Sequence, residues 1–311
     1  MNILLVGAGY MGVEYGRILD NIRIPYTALT RSLETKNLFE LKVNGRCEIG
    51  SIEDFDTSNF THSIVCVDVD YLKEITSTLL TKGIKNILVE KPGALSVKDL
   101  EDLENLRISH KSNVFIGYNR RFYSSVIQLK RLLQEEMPTS MTFDFTEWSN
   151  EIKNLKKSIL TKKYWILSNS SHVLDLVFYL CGNPKELLNI SSGGLTWHPS
   201  GSLYVGCGIT SKDVVFSYHA NWDSSGRWSV EVNTSKNKFI LRPIEKLQFV
   251  ERDSVKVQEY DRIDYSLDEK FKPGLFIQLK KFIEQDWSDL CTIEEQIEKF
   301  KHYYKIGMYD E

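Results

Sequence analysis

Residues Asn2-Ile-Leu-Leu-Val-Gly7-Ala-Gly9-Tyr10-Met11-Gly12 decide the fold. A buried-strand pattern over Asn2–Val6 runs into Gly-x-Gly-x-x-Gly, and a helical pattern follows from about Met11 to Leu19. The first glycine permits the tight turn, the second lets the backbone approach a pyrophosphate, and the third lets helix and strand pack closely. The helix N-terminus then presents N–H groups and a positive dipole end to phosphate. The stretch predicts the opening turn of a dinucleotide-binding unit, with Gly7, Gly9, Tyr10, Met11 and Gly12 against the cofactor. The plainer alternative is a glycine turn that binds nothing.

The same rhythm continues. Tyr26–Thr30, Ser63–Val67, Ile87–Val89 and Val114–Gly117 read as further strands, with helices over Tyr71–Thr81 and Leu100–Ser109. Strands alternating with helices predict a parallel sheet with crossover helices. Near Asn119 the pattern changes. A helix is expected from about Ser124 to Gln134, and Met141–Trp148 alternates like a half-solvated strand. Several strands follow between Leu187 and Tyr260, parted by turn signals such as Gly193-Gly194 and Asp223-Ser-Ser-Gly226. Two helices, about Leu275–Gln285 and Ile293–Tyr304, end the chain. The expected fold class is α/β, an N-terminal Rossmann parallel sheet plus a C-terminal α/β domain with an open, largely antiparallel sheet. The expected domains are residues 1–118, for dinucleotide binding, and 119–311, for substrate binding and oligomerisation, with the last helices able to pack back on the first.

Bulk properties narrow the class. At 311 residues the chain suits two domains. A net charge of −3 gives no basic field for nucleic acid, and no apolar run approaches a spanning helix, so no membrane partner is expected. The first strand begins at Asn2, and the five cysteines are scattered without a Cys-x-x-Cys, which suits reduced thiols in a cytoplasmic protein and no metal site. Cys66 and Cys207 read as small core residues.

The second strand ends in Thr30-Arg31-Ser32, with no carboxylate at its tip to hold a ribose 2′-hydroxyl. Arg31, helped by the hydroxyls of Thr30 and Ser32, suits a 2′-phosphate, so NADP is preferred over NAD; alternatively Arg31 is a surface cation stacked on adenine. Asn169-Ser-Ser-His172-Val-Leu-Asp175 opens a helix that Gly182 and Pro184 stop. Ser168, Asn169 or Ser170 is expected to cap it, which places His172 in the first turn, where the dipole disfavours imidazolium and a neutral ring can take a proton from an alcohol. Lys91 ends the Ile87–Val89 strand, in the stretch Glu90-Lys91-Pro92, where open α/β sheets bind ligands.

Glu90-Lys91-Pro92, Gly117-Tyr-Asn119-Arg120-Arg121-Phe and His172-x-x-Asp175, in this order and spacing, resemble the Gfo/Idh/MocA family of sugar and polyol oxidoreductases. The resemblance spans essentially the whole chain. It implies a nicotinamide held between the two domains beside Lys91 and His172, a sugar-type small-molecule substrate, and a homodimer or homotetramer formed through the open sheet face; Trp222 and Trp228 fit such an exposed face. It also suggests a cis bond before Pro92. Lys91 and His172 are then the catalytic residues, Val67, Asp68, Glu90 and Lys91 join the cofactor site, and Lys91, Asn119, Arg120, Tyr164, Trp165, Ser168 and His172 line the substrate. Hydride transfer needs a base for the hydroxyl proton and a cation for charge building on the oxygen. Asp175 is read as structural. The chain departs from the family where relatives carry an aspartate four residues before the histidine, here Ser168, and where a Thr-Pro is replaced by Val67-Asp68. These departures keep two alternatives open, a cofactor-dependent glycosidase and a non-catalytic dinucleotide sensor.

Overall fold

The computed structural model describes residues 1–309. By contact the chain divides into two compact units, Met1–Tyr118 with Lys270–Glu298, and Asn119–Glu269 with the residues from Lys299 on.

In the first unit the strands are β1 (Ile3–Val6), β2 (Tyr26–Thr30), β3 (Arg46–Ile49), β4 (His62–Val65), β5 (Asn86–Glu90) and β6 (Asn113–Gly117). They are mutually parallel in the order β6-β5-β4-β1-β2-β3, and a short strand, Cys291–Thr292, adds antiparallel to β6. The six parallel strands follow the doubly wound order, whose switch point lies between β1 and β4. All four residues of β1 and of β4 are buried, as befits strands covered on both faces. The helices that connect these strands are α1 (Tyr10–Ile22), α2 (Leu33–Glu40), α3 (Leu72–Thr81) and α4 (Val97–Ser109), and the helix Leu275–Glu284 belongs to the same unit. Ser32 and Ser96 cap α2 and α4, each accepting a hydrogen bond from an N–H three residues on (3.2 and 3.0 Å). Gly83, at φ +85°, follows α3.

β3 and α2 were not anticipated. Only Cys47 of Arg46–Ile49 is buried, so this edge strand carries almost no apolar signal.

The second unit holds β7 (Ser140–Asp144), β8 (Pro184–Ser192), β9 (Leu203–Thr210), β10 (Val215–Asn221), β11 (Ser229–Asn233), β12 (Asn237–Leu241), β13 (Gln248–Glu251) and β14 (Gln258–Glu259), in the sheet order β14-β13-β12-β11-β7-β10-β9-β8. Every neighbouring pair is antiparallel except β7 with β10. The α/β class, with one mostly parallel and one mostly antiparallel sheet, is as expected. Along β10, Phe216, Tyr218 and Ala220 point inward and alternate with exposed positions. The inward face meets the helix Ser171–Cys181, of which every residue but Tyr179 is buried. Phe178 of that helix sits edge-on to Phe143 and Phe216, with ring centroids 6.1 and 5.9 Å apart.

Two expectations about the other face are corrected. Trp222 and Trp228 are 1% and 5% exposed, so neither lines an open surface. They turn inward: Trp222 packs on His198 at 4.6 Å and stacks with Trp197 at 5.9 Å. The exposed apolar side chains of the sheet are Leu188, Ile190, Val205 and Val215. Cys207, expected in the core, is also exposed, because it follows Gly206 and falls on the outward phase of β9.

Candidate functional site

In the first unit the glycine turn sits at the switch point. Gly7 has φ +106°, and a Cβ there would stand 2.7 Å from the Cys66 carbonyl oxygen. A Cβ on Gly12 would run into the Gly7 carbonyl. These two glycines are demanded by packing within the protein. Gly9 is different: a Cβ there meets nothing within 4 Å. The open space lies at the N-cap of the thirteen-residue helix α1, which has no acidic residue in its first turn. This is a fit for a bound pyrophosphate, with closely packed glycines behind it and free room in front. Tyr10 is largely exposed beside this turn, and Met11 is half-buried. The Cys66 thiol donates to the Gly7 carbonyl at 3.0 Å and braces the turn from β4. Beyond it, Val67 is half-buried and Asp68 exposed, and the Asp68 carbonyl accepts from Tyr71 N–H at 3.0 Å.

At the tip of β2, Thr30 Oγ1 accepts from Ser32 N–H at 3.4 Å while Ser32 Oγ caps α2. Both hydroxyls accept locally, and their hydrogens remain available to donate. Exposed Arg31 lies over the Tyr71 ring at 4.9 Å.

β5 delivers Glu90 and Lys91 to the same sheet end. Tyr15 of α1 donates to Glu90 Oε1 at 2.8 Å. Burial raises the Glu90 carboxyl, against the opposing pull of Tyr15 and the Lys91 ammonium. The Lys91–Pro92 bond is cis, as the resemblance suggested. Gln296 Nε2 donates to the Pro92 carbonyl and to Tyr118 Oη, both at 2.9 Å, and so fastens the turn that carries half-buried Lys91.

In the second unit the His172 helix does not begin as expected. A π-helical turn, Ile166–Ser170, runs straight into Ser171–Cys181, and no side chain caps the junction. The Ser171 N–H bonds to the Ile166 carbonyl. Backbone donors that a true first turn would leave open are therefore satisfied, and the dipole argument for His172 loses its basis. Ser168 is buried, with its Oγ donating to the Thr161 carbonyl at 3.1 Å. Ser170 Oγ and Asn169 Nδ2 both donate to Glu147 Oε1, at 2.7 and 2.9 Å. Glu147 is 1% exposed and pairs through its other oxygen with Arg227 at 2.6 Å. Sequence reasoning missed Glu147, since nothing local to Thr146-Glu147-Trp148 ties it to residues twenty positions on.

His172 itself is buried, with its ring 6.3 Å from that of Trp228. Trp228 also lies under two guanidinium groups, Arg120 at 4.6 Å and Arg227 at 4.2 Å. Asn119 is buried and its side chain bonds to Tyr123. Tyr164 and Trp165 fall in a separate aromatic group: Tyr164 meets Tyr309 at 5.0 Å and Trp165 meets Trp197 at 6.1 Å. Of the residues predicted in this unit, the fold brings His172 and Arg120 around Trp228 and spends Ser168 on a backbone bond. Asp175 forms a buried triad, accepting from Arg121 Nε and Nη2 at 2.8 and 2.6 Å and from Lys299 at 2.8 Å. Burial would raise its carboxyl, but the two cations outweigh this and hold it below the ordinary carboxylate range. Among the described residues no helix is long and apolar enough to cross a membrane.

No protein-family model matches the chain. A 2,7-anhydro-N-acetylneuraminate hydratase of Mediterraneibacter gnavus is 25% identical over 199 residues, 61% of this chain and 52% of that protein, so the match spans about half of the curated relative's length. The structure of an oxidoreductase from Agrobacterium radiobacter, in complex with NAD+, L-tartaric acid and magnesium, matches with a TM-score of 0.80 at 11% identity, over 99% of this chain and 96% of that one. The UDP-N-acetylglucosamine 3-dehydrogenase of Acidithiobacillus ferrooxidans matches with a TM-score of 0.77 at 12% identity, over 99% and 97% of the two chains. At these identities the structural likeness is one of architecture. The likeness extends over nearly the whole chain and both of its sheets: this chain has the fold of the Gfo/Idh/MocA-type oxidoreductases.

Proposed function

We propose that the protein is an oxidoreductase that transfers a hydride between a nicotinamide dinucleotide and a secondary hydroxyl or ketone of a sugar-type substrate. The observation that carries this reading is the open space at Gly9, in front of the α1 N-terminus and at the switch point of the first sheet. The matching structures support it, one holding NAD+ and another being a nucleotide-sugar dehydrogenase. The dinucleotide, when bound, supplies the hydride acceptor or donor. Gly7 to Gly12 would hold the pyrophosphate, and Val67, Asp68 and Glu90 would border the cofactor. Arg31, with Thr30 and Ser32, takes a 2′-phosphate, so NADP is preferred to NAD.

The remaining chemistry falls to side chains of this chain. In the oxidative direction His172 accepts the hydroxyl proton as hydride leaves the carbinol carbon. The Lys91 ammonium stabilises the charge that builds on the oxygen. Asn119 and Arg120 orient the substrate. The protein acts as a homodimer or homotetramer, with Leu188, Ile190, Val205 and Val215 covered by another copy.

The test is a panel of sugars and nucleotide sugars assayed with both dinucleotides. Lys91→Met and His172→Ala are each expected to lower kcat by roughly a hundredfold or more while dinucleotide still binds. Undiminished turnover in both variants would refute the assignment. The hydratase relative favours a second reading, in which the nicotinamide ends each turnover in its starting redox state. Stoichiometric change in nicotinamide absorbance with substrate distinguishes the first reading from this one.

A further inference from the structure

Three adjacent cationic groups in the second unit are handled differently. Arg121 is paired in bidentate fashion with Asp175. Arg227 is paired with Glu147 at 2.6 Å. Arg120 makes no ion pair and no hydrogen bond among the described residues; it touches only ring faces, Trp228 at 4.6 Å and Tyr123 at 5.8 Å. A guanidinium stays charged at any physiological pH, and a charge drawn out of water ordinarily finds a partner. Desolvation is severe enough here to push Arg120 down, with the field of Arg227 adding to it and Tyr123, Glu245 and Glu147 opposing it. Neither glutamate lies within ion-pair distance of Arg120.

A second feature of the same spot also lacks an internal explanation. Trp228 is 5% exposed, and its indole N–H is buried with no acceptor among the described residues. A buried donor left unmet costs about 1–3 kcal/mol, and native proteins rarely keep one without a use. An unpaired guanidinium over an indole whose N–H has no acceptor among the described residues, with a second guanidinium on the same ring, calls for one complement, which is an anion.

We propose that Arg120, Trp228 and Arg227 form the subsite for an anionic substituent of the substrate, a carboxylate or a phosphate, next to His172. The planar fork of Arg120 gives it two parallel donors for such a group. The subsite rests on the reading of His172 as substrate-facing, and it makes the substrate an acidic or phosphorylated sugar, not a neutral polyol.

The protein, saturated with dinucleotide, is titrated with glucuronate, glucose 6-phosphate and glucose, followed by calorimetry and by tryptophan fluorescence. Binding of at least one anion roughly tenfold or more tighter than glucose is expected. Arg120→Gln removes that preference, Arg120→Lys keeps part of it, and the melting temperature of each is measured alongside. A response to glucuronate alone assigns a carboxylate, and one to glucose 6-phosphate alone assigns a phosphate. Glucose binding as tightly as both anions, no saturable binding of either anion, or a preference that survives Arg120→Gln overturns the subsite. Equal turnover of a neutral sugar by wild type and Arg120→Gln, without anion preference, removes the subsite and leaves the hydride-transfer reading intact. Anion preference that depends on Arg120, with no turnover of any sugar, does the reverse.

Discussion

At the scale of single residues, charge in the second unit is settled by pairing. Asp175 accepts from two buried cations, and its loss takes this carboxylate from both. Asp175→Ala is expected to destabilise the protein by about 3–5 kcal/mol, the usual cost of an uncompensated buried charge, read as a shift in the urea midpoint. A change of less than about 1 kcal/mol would mean that the triad is not the packing centre its burial suggests. In the first unit Arg31 is exposed and rests on Tyr71, so its removal leaves the core untouched. Arg31→Ala should raise KM for NADP roughly tenfold and leave KM for NAD nearly unchanged. Equal effects on the two dinucleotides would turn Arg31 into an adenine-stacking cation.

At the scale of elements, the π-helical turn before the His172 helix is held from outside by one carboxylate. Glu147 accepts from Ser170, Asn169 and Arg227 while almost fully buried. Removing it leaves several donors unmet. Glu147→Ala is expected to cost about 2–4 kcal/mol in unfolding free energy, and amide exchange across Ile166–Ser170 should accelerate. Unchanged exchange there would show that the turn holds itself. This arrangement also explains why the start of the helix was misread. Ser168, Asn169 and Ser170 have the composition of an N-cap, but the chain enters the helix already wound, and their side chains serve other partners.

At the scale of the whole molecule, buried histidines set the acid limit. His198 is fully buried, bonds to Tyr309 Oη at 2.6 Å and to the Gly201 carbonyl at 3.0 Å, and burial lowers it from 6.5 to about 4. The folded ring stays neutral where the unfolded one takes a proton. Its effect is therefore absent above pH 6.5, and stability falls as the pH drops from 6.5 towards 4. At about 1.4 kcal/mol per pH unit, the loss reaches roughly 3 kcal/mol. Burial shifts His62 in the same direction. Asp175, held low, loses its contribution only below about 3.8 and stays outside this window. Urea midpoints measured between pH 7.5 and 4.5 should decline in wild type and decline less steeply in His198→Gln; parallel slopes would remove His198 from the account.

Local sequence was enough for the glycine turn, for Lys91 at the end of its strand and for the alternating strands of the second sheet. Each depends on a backbone requirement or a periodicity that neighbours in the chain carry: φ above zero at Gly7, an apolar run in β5, inward and outward phases along β10. The tertiary structure alone decided which polar groups are spent and which remain. Glu147 serves Arg227, Arg121 and Lys299 share Asp175, and Trp228 turns inward beneath Arg120. Burial and pairing bring together residues tens to more than a hundred positions apart, and no local pattern records which distant charge will arrive beside a given side chain.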